Sequence, residues 1–268
     1  MNFDWIANEP IIRMSAFAAV LSTMALAETL APRRPRPHGR VSRWPGNLGL
    51  ILVSSALIKL IFPMTAVAFA MWCEYRGIGL LNLAALPAWA AVPVAVATLD
   101  LAIYAQHVVF HHGPLLWRLH RMHHADLEFD ATTGIRFHPV EMILSMAIKF
   151  AVIAALGAPA LAVLLFEVLL NATALFSHSN MKLPLPVDRV LRAVVVTPDM
   201  HRVHHSVIPA ETHSNFGFCM PWWDRLFGTY RDQPKAGHDG MTIGLPILRD
   251  PKELRIDKLI TQPFRNAE

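Results

Sequence analysis

Charge and cysteine are scarce in this sequence. Only 16% of its 268 residues are charged against 54% hydrophobic, and the mean hydropathy is +0.37. Soluble domains average about 25% charged residues, so the composition excludes an ordinary soluble enzyme and indicates a polytopic membrane protein. The two cysteines, Cys73 and Cys219, fall on opposite sides of the membrane in the topology below and support no disulfide framework. The segment before the first apolar run carries Asp4 and Glu9 rather than basic residues, which argues against a cleaved signal peptide. HExxH is missing, so a zinc protease would lack its general base, and no GxGxxG, flavin or haem motif is present. There is no low-complexity segment and no internal repeat beyond one doubled histidine pattern.

Histidine is what the chain has in quantity. Six of its fourteen histidines lie in the eighteen residues from His107 to His124, and the HRxHH of His120–His124 recurs at His201–His205. Helical steps of three and four residues turn about 300° and 400°, so i, i+3 and i+4 share a face. His107 and His111 therefore point one way, as do His120, His123 and His124, and again His201, His204 and His205. A single histidine is ordinarily a satisfied core or surface residue, but three such faces offer eight imidazoles, more than one ion can use. Two metals close together are expected, of the kinds imidazole suits: zinc, copper, iron or nickel. A di-haem cytochrome would place its axial histidines deep inside spans, whereas these sit at span ends.

Taken in order, the chain has a first span at Ile11–Leu30, about the length a bilayer core requires. Residues 31–46 hold Arg33, Arg34, Arg36, Arg40 and Arg43 and no acid, and read as a solvated basic linker held at the cytoplasmic headgroups, with the amino terminus on the other side. Nucleic-acid binding is not expected of such a linker in a chain this apolar. A second span runs from about Asn47 to Trp72, interrupted by Pro63, with Lys59 snorkelling or facing the bundle. The third, from about Pro87 to Ala105, leads into His107. Gly113 and Pro114 then break the helix and start another carrying Leu115 to His124. His112, offset by about 100° from His111, is not expected to be a ligand. A polar loop, residues 125–139, follows.

Val140 to Phe176 is apolar with one break at Gly157-Ala158-Pro159, which fits a hairpin of two crossings. Five crossings in all put the carboxyl terminus on the cytoplasmic side and bring His178, in FSHSN, to the membrane depth of the other clusters as a ninth candidate ligand. Thr197-Pro198-Asp199 reads as cap, first turn and dipole-favoured acid of the helix bearing His201. Behind the ligands, Asp100, two turns deeper than His107 on nearly the same face, is expected to hydrogen-bond a ligand imidazole. His138 and Asp199 are expected in the same supporting shell, and Trp222–Phe227 forms an aromatic stripe suited to the headgroup boundary.

DLAIYAQHVVFH, LWRLHRMHH, GIRFHPVE, HSN, TPDMHRVHHS, SNFG and WWDRLFGTY resemble, in order and spacing, the fatty acid hydroxylase/sterol desaturase superfamily over about Ala97 to Arg231. The resemblance implies an all-α transmembrane bundle with a cytoplasmic histidine-rich di-iron site, a catalytic region at 97–231 between an amino-terminal region (1–96) and a carboxyl-terminal tail (232–268), and oxygen-dependent hydroxylation or desaturation of a membrane lipid. The HxxxH pair maps to His107 and His111, the first HxxHH to His120, His123 and His124, and the last to His201, His204 and His205. Val108 stands where the family usually has arginine, His213 precedes SNFG, and Lys182 occupies a position where some members have a further histidine. Electrons would come from a separate ferredoxin, cytochrome or flavin reductase. A bacterial inner membrane is the expected location, with zinc a plausible substitute for iron. The competing class is a non-enzymatic zinc protein or metal carrier, but carriers place ligands at mid-span on discontinuous helices. An isomerase or cleavage enzyme on the same metals also remains open.

Overall fold

A computed structural model describes residues 5–84 and 86–266. It is all helical, with no named strand among the described residues. Five segments are long and apolar enough to cross a membrane: Glu9–Leu30, Arg40–Arg76, Ala88–His112, Pro139–Leu156 and Ala160–Ser177. The chain is a polytopic transmembrane helical bundle with these five segments as its candidate spans.

The first crossing is α1 (Glu9–Leu30). The second is broken into α2 (Arg40–Ile61) and α3 (Ala66–Arg76) around Pro63, and starts earlier than the Asn47 expected from hydropathy. The short α4 (Leu80–Ala84) follows. The third crossing, α5 (Ala88–His112), continues through His107, His111 and His112 in its last turns. Gly113 and Pro114 end it and begin α6 (Pro114–His124), the proline taking a first-turn position where its missing N–H costs nothing. The hairpin is α7 (Pro139–Leu156) and α8 (Ala160–Ser177), joined at Gly157 in the left-handed region (φ 69°). At that end the Gly157 and Gly79 backbones touch, and a Cβ on Gly79 would stand 2.1 Å from Gly157 N. The short α9 (Leu185–Leu191) and α10 (Pro198–His204) follow α8, with the Thr197 hydroxyl accepting from Met200 N as the cap of α10.

The basic linker departs from its expected solvated state. Arg43 is fully buried and ion-paired with Asp126 (2.6 Å) and Asp130, while Arg36 and Arg40 pair with the buried Glu28 at 3.0 and 3.2 Å. Glu28 also accepts from Ala131 N (2.7 Å) and Asn180 N (2.9 Å), so the end of α1 pins the two segments flanking the histidines. The loop after α6 is accordingly interior rather than a polar surface loop. It contains a 3-10 turn, Ala131–Ile135, capped by Asp130, and Arg136 donates to Met122 O at 2.9 Å. Gly134 lies so close to the last turn of α8 that a Cβ would stand 2.5 Å from Ala174 O. Lys59 is exposed, and Cys73 and Cys219 are buried and free. The carboxyl-terminal segment packs under the histidine end, where Arg118 donates to Pro263 O and Arg121 to Arg265 O.

Candidate metal centre

Four elements meet at one end of the bundle. The last turns of α5 present His107 and His111, α6 presents His120, His123 and His124, the cap of α8 is His178, and α10 with its cap presents His201, His204 and His205. All nine are at most 4% exposed. They sort into two groups able to hold one ion each: His107, His111, His120, His124 and His204, and His123, His178, His201 and His205, with ligand atoms in each group within 4.8 Å of one another. Each HxxHH helix therefore serves both groups. His112 stands outside them, exposed, its Nδ1 donating to Val108 O at 2.8 Å.

Hydrogen bonds behind the rings decide which nitrogen faces inward. His107 Nδ1 donates to Phe216 O (2.8 Å), His204 Nδ1 to Ser214 O (2.6 Å), His120 Nδ1 to Glu141 (2.7 Å) and His178 Nδ1 to Ala174 O (2.8 Å). A neutral imidazole so tied has a bare lone pair on Nε2. Yet the Nε2 atoms of His204 and His107 lie 3.0 Å apart, those of His107 and His120 3.1 Å, and those of His178 and His123 3.2 Å. Both ring nitrogens of His111, His124 and His205 are buried with no hydrogen-bond partner. Converging lone pairs repel and unpartnered buried nitrogens are costly, so the donor set fits two cations and fits little else.

Burial, reinforced by neighbouring rings, holds His123, His124, His201, His204 and His205 well below the ordinary imidazole range. Burial likewise brings His178 down to about 4, against the opposing pull of the Ala174 carbonyl. All six are thus neutral near pH 7, the state a metal ligand requires. Aromatic rings wall the centre: Phe137 stacks on His123 at 4.5 Å, Phe129 on His178 at 5.5 Å, and Trp117 leans on His111 at 4.9 Å.

The three residues expected behind the ligands have other partners. Asp100 accepts from Trp223 Nε1 (2.8 Å) and from Cys219 N and Met220 N (both 3.2 Å), anchoring the WWDRLF segment to α5 instead of orienting an imidazole. Its face of α5 meets that segment two turns short of His107. Asp199, itself buried, pairs with Arg202 and with Arg33 (3.3 Å) instead. His138 caps α7, accepting from Val140 N (3.2 Å), and binds Ile260 O (3.0 Å), so it joins α7 to the carboxyl-terminal segment.

Sequence reasoning missed the groups that do support the rings. Glu141 is buried against His120, and its signal was a carboxylate in the first turn of an apolar helix, three residues after His138. The Ser214 and Phe216 carbonyls are aimed by Asn215, held at φ 52° while its amide donates to Met200 O and Arg231 O, each at 2.8 Å. Asp224 fixes the same turn by accepting from Phe216 N (2.7 Å) and Gly217 N (2.8 Å). These contacts explain SNFG and the aspartate of WWDRLF physically.

A membrane-helix bundle closed at one end by two all-imidazole groups is the class that fold and site define. The fatty acid hydroxylase family model matches residues 92–229, just over half of the chain, and the chain belongs to that family. It is 28% identical over 145 residues to an ornithine lipid hydroxylase of Rhizobium tropici, covering 54% of this chain and 43% of that protein. It is also 28% identical over 147 residues to the alkylglycerol monooxygenase of Danio rerio, covering 53% of this chain and 31% of that protein. The chain thus spans less than half the length of these curated relatives. No solved structure matches it.

Proposed function

We propose that this protein is an oxygen-dependent di-iron hydroxylase of a membrane lipid, with His107, His111, His120, His124 and His204 holding one iron and His123, His178, His201 and His205 the other. The single observation that carries the reading is the pair of adjoining all-histidine groups inside the family-matched segment. Bound there, two irons would supply the oxygen activation needed to hydroxylate an unactivated C–H bond. The protein's own groups set the conditions. Glu141 and the Ala174, Ser214 and Phe216 carbonyls keep the tautomer that turns Nε2 inward, and the Phe129, Phe137 and Trp117 rings keep bulk water from the centre.

The names of both relatives describe lipid oxidation, which supports hydroxylation over desaturation and over a non-enzymatic zinc protein. A separate ferredoxin, cytochrome or flavin reductase would deliver electrons, since the sequence holds no flavin or haem motif. The arginine-rich residues 31–46 lie at the histidine end, which supports a cytoplasmic centre in a bacterial inner membrane. Comparative mass spectrometry of lipids from cells with and without the protein tests the reading. A lipid gaining 16 mass units only under oxygen, with two irons per chain in the purified protein, is expected. A loss of two mass units would make it a desaturase, and an unchanged lipidome with zinc-loaded protein would overturn the enzyme reading.

A further inference from the structure

The nine histidines of the centre are at most 4% exposed, so an electron from outside must cross a wall of side chains. That wall is not uniform. Where Phe218 forms it, 5.7 Å from His107 between ring centroids, the phenyl packs into the apolar core of the spans. Where Trp117 of α6 forms it, the indole is partly exposed, with its ring 4.9 Å from that of His111 and 5.4 Å from that of His124. Both imidazoles belong to the five-histidine group. His213, exposed, completes this rim at 5.9 Å from Trp117 and 5.4 Å from His111. One π-system therefore reaches from two ligand rings to the surroundings, on a helix that follows the third span.

The ground around that indole is basic. Arg121, one turn on from Trp117, shares its face of α6, and Arg118 is its neighbour in sequence. Both arginines are partly exposed, and both donate to uncharged acceptors, the Gln262, Pro263 and Arg265 carbonyls. Burial and the Arg118 and Arg265 cations hold the Arg121 guanidinium below its ordinary pKa, as befits a cation among cations. Arg265 itself is balanced by Glu253 at 2.9 Å, so the two α6 arginines leave an excess of positive charge beside Trp117. Charge of one sign at the rim of an interface steers a partner of the opposite sign.

We propose that the Trp117 rim is where the electron donor docks, that the donor is a one-electron carrier protein with an acidic face held by Arg118 and Arg121, and that the indole passes each electron to the five-histidine group. The proposal rests on the lipid-hydroxylase reading above. Inserting one atom of O2 into a C–H bond reduces the other atom to water, which takes two electrons and two protons. A one-electron carrier therefore docks and delivers twice per turnover, becoming oxidised each time, and the protons come from water.

The full iron-loaded chain in phospholipid nanodiscs is mixed with an acidic plant-type ferredoxin bearing a photoactivatable benzophenone on its acidic face. Binding is measured with oxidised ferredoxin, and the rate of iron reduction with reduced ferredoxin by stopped-flow absorbance. Adducts are expected within residues 114–121 and 262–265 and at His213. Arg118→Gln together with Arg121→Gln should weaken binding about tenfold and flatten its dependence on salt. Arg118→Lys together with Arg121→Lys should keep both. Trp117→Leu should leave the affinity unchanged and lower the limiting rate at saturating ferredoxin several-fold, and Trp117→Phe should restore most of that rate. Two irons per chain and complete reduction by dithionite check that each variant keeps its centre. Should the arginine variants not fold, the adducts on the unaltered chain still decide the docking face. Adducts elsewhere, no binding of the ferredoxin, or unchanged affinity in the glutamine pair would overturn that face and leave the hydroxylase reading standing. An unchanged limiting rate in Trp117→Leu would overturn the role of the indole. Docking and iron reduction as expected, with no lipid gaining 16 mass units, would support the proposal and sink the hydroxylase reading.

Discussion

The membrane half of the molecule and its histidine end are built by opposite rules. Along the spans, large apolar side chains face outward, with Leu52 71% and Leu60 80% exposed, and none of the apolar window of α1 is buried within the protein. At the histidine end the largest fully buried side chains are Arg43, Arg136 and Arg202, set among acids, carbonyls and imidazoles. The bilayer is as apolar as leucine, so the spans gain little by hiding their side chains from it. Outside the hydrocarbon the chain must close a dry polar chamber, and every buried charge there needs a named partner. Specificity is thus concentrated at one end of the bundle, and substitutions should separate the two regions sharply.

Acidification should have the largest effect. His123, His124, His178, His201, His204 and His205 have depressed pKa values in the fold, against about 6.5 in the unfolded chain. Their contribution to stability is complete above about 6.5 and is lost as pH falls toward the folded values, with His178 at about 4. Metal analysis after gel filtration at stepped pH should find both ions released between those limits. Retention of both ions well below pH 4 would contradict the all-imidazole assignment.

Next comes His204→Ala, which should abolish the +16 product and lower iron below two per chain. His124→Ala should do the same, since both rings belong to the five-histidine group. Arg43→Ala leaves Asp126 and Asp130 buried without their cation and should cost about 3–5 kcal/mol. Thermal unfolding in detergent checks this, and a shift no larger than that of Leu52→Ala on the lipid face would erase the contrast between the two ends.

Asp100→Asn sharpens the contrast further. It weakens one anchor of the 219–223 segment by about 1–2 kcal/mol, while activity per bound iron stays near wild type. A loss of tenfold or more per iron would restore the role read from helical phase, an imidazole partner. The smallest effect is expected of His112→Ala, exposed and outside both groups: about 0.5 kcal/mol or less, with most of the product retained.

How far the sequence could be read depended on the range of the interaction. Helix breaks at Pro63, Gly113-Pro114 and Gly157 lie where the residues place them, because proline and glycine act on their own turn. Asp100 shows the limit: its helical phase put it near His107, yet phase names a direction and not the group waiting there. The Arg43–Asp126 pair and the Phe216 carbonyl on His107 join residues 83 and 109 positions apart, and no local pattern encodes such a meeting.

The sequence by itself determined five apolar crossings and three helical faces of imidazole, since hydropathy and the 3.6-residue turn are properties of neighbouring residues. Only the tertiary structure decided that each HxxHH helix divides between a group of five and a group of four, that Glu141 rather than Asp100 backs a ring, and that Arg36, Arg40 and Arg43 of the basic linker pair with buried acids. Those outcomes depend on which distant backbone carbonyls and carboxylates the folded chain brings within hydrogen-bond reach, and that is settled by packing.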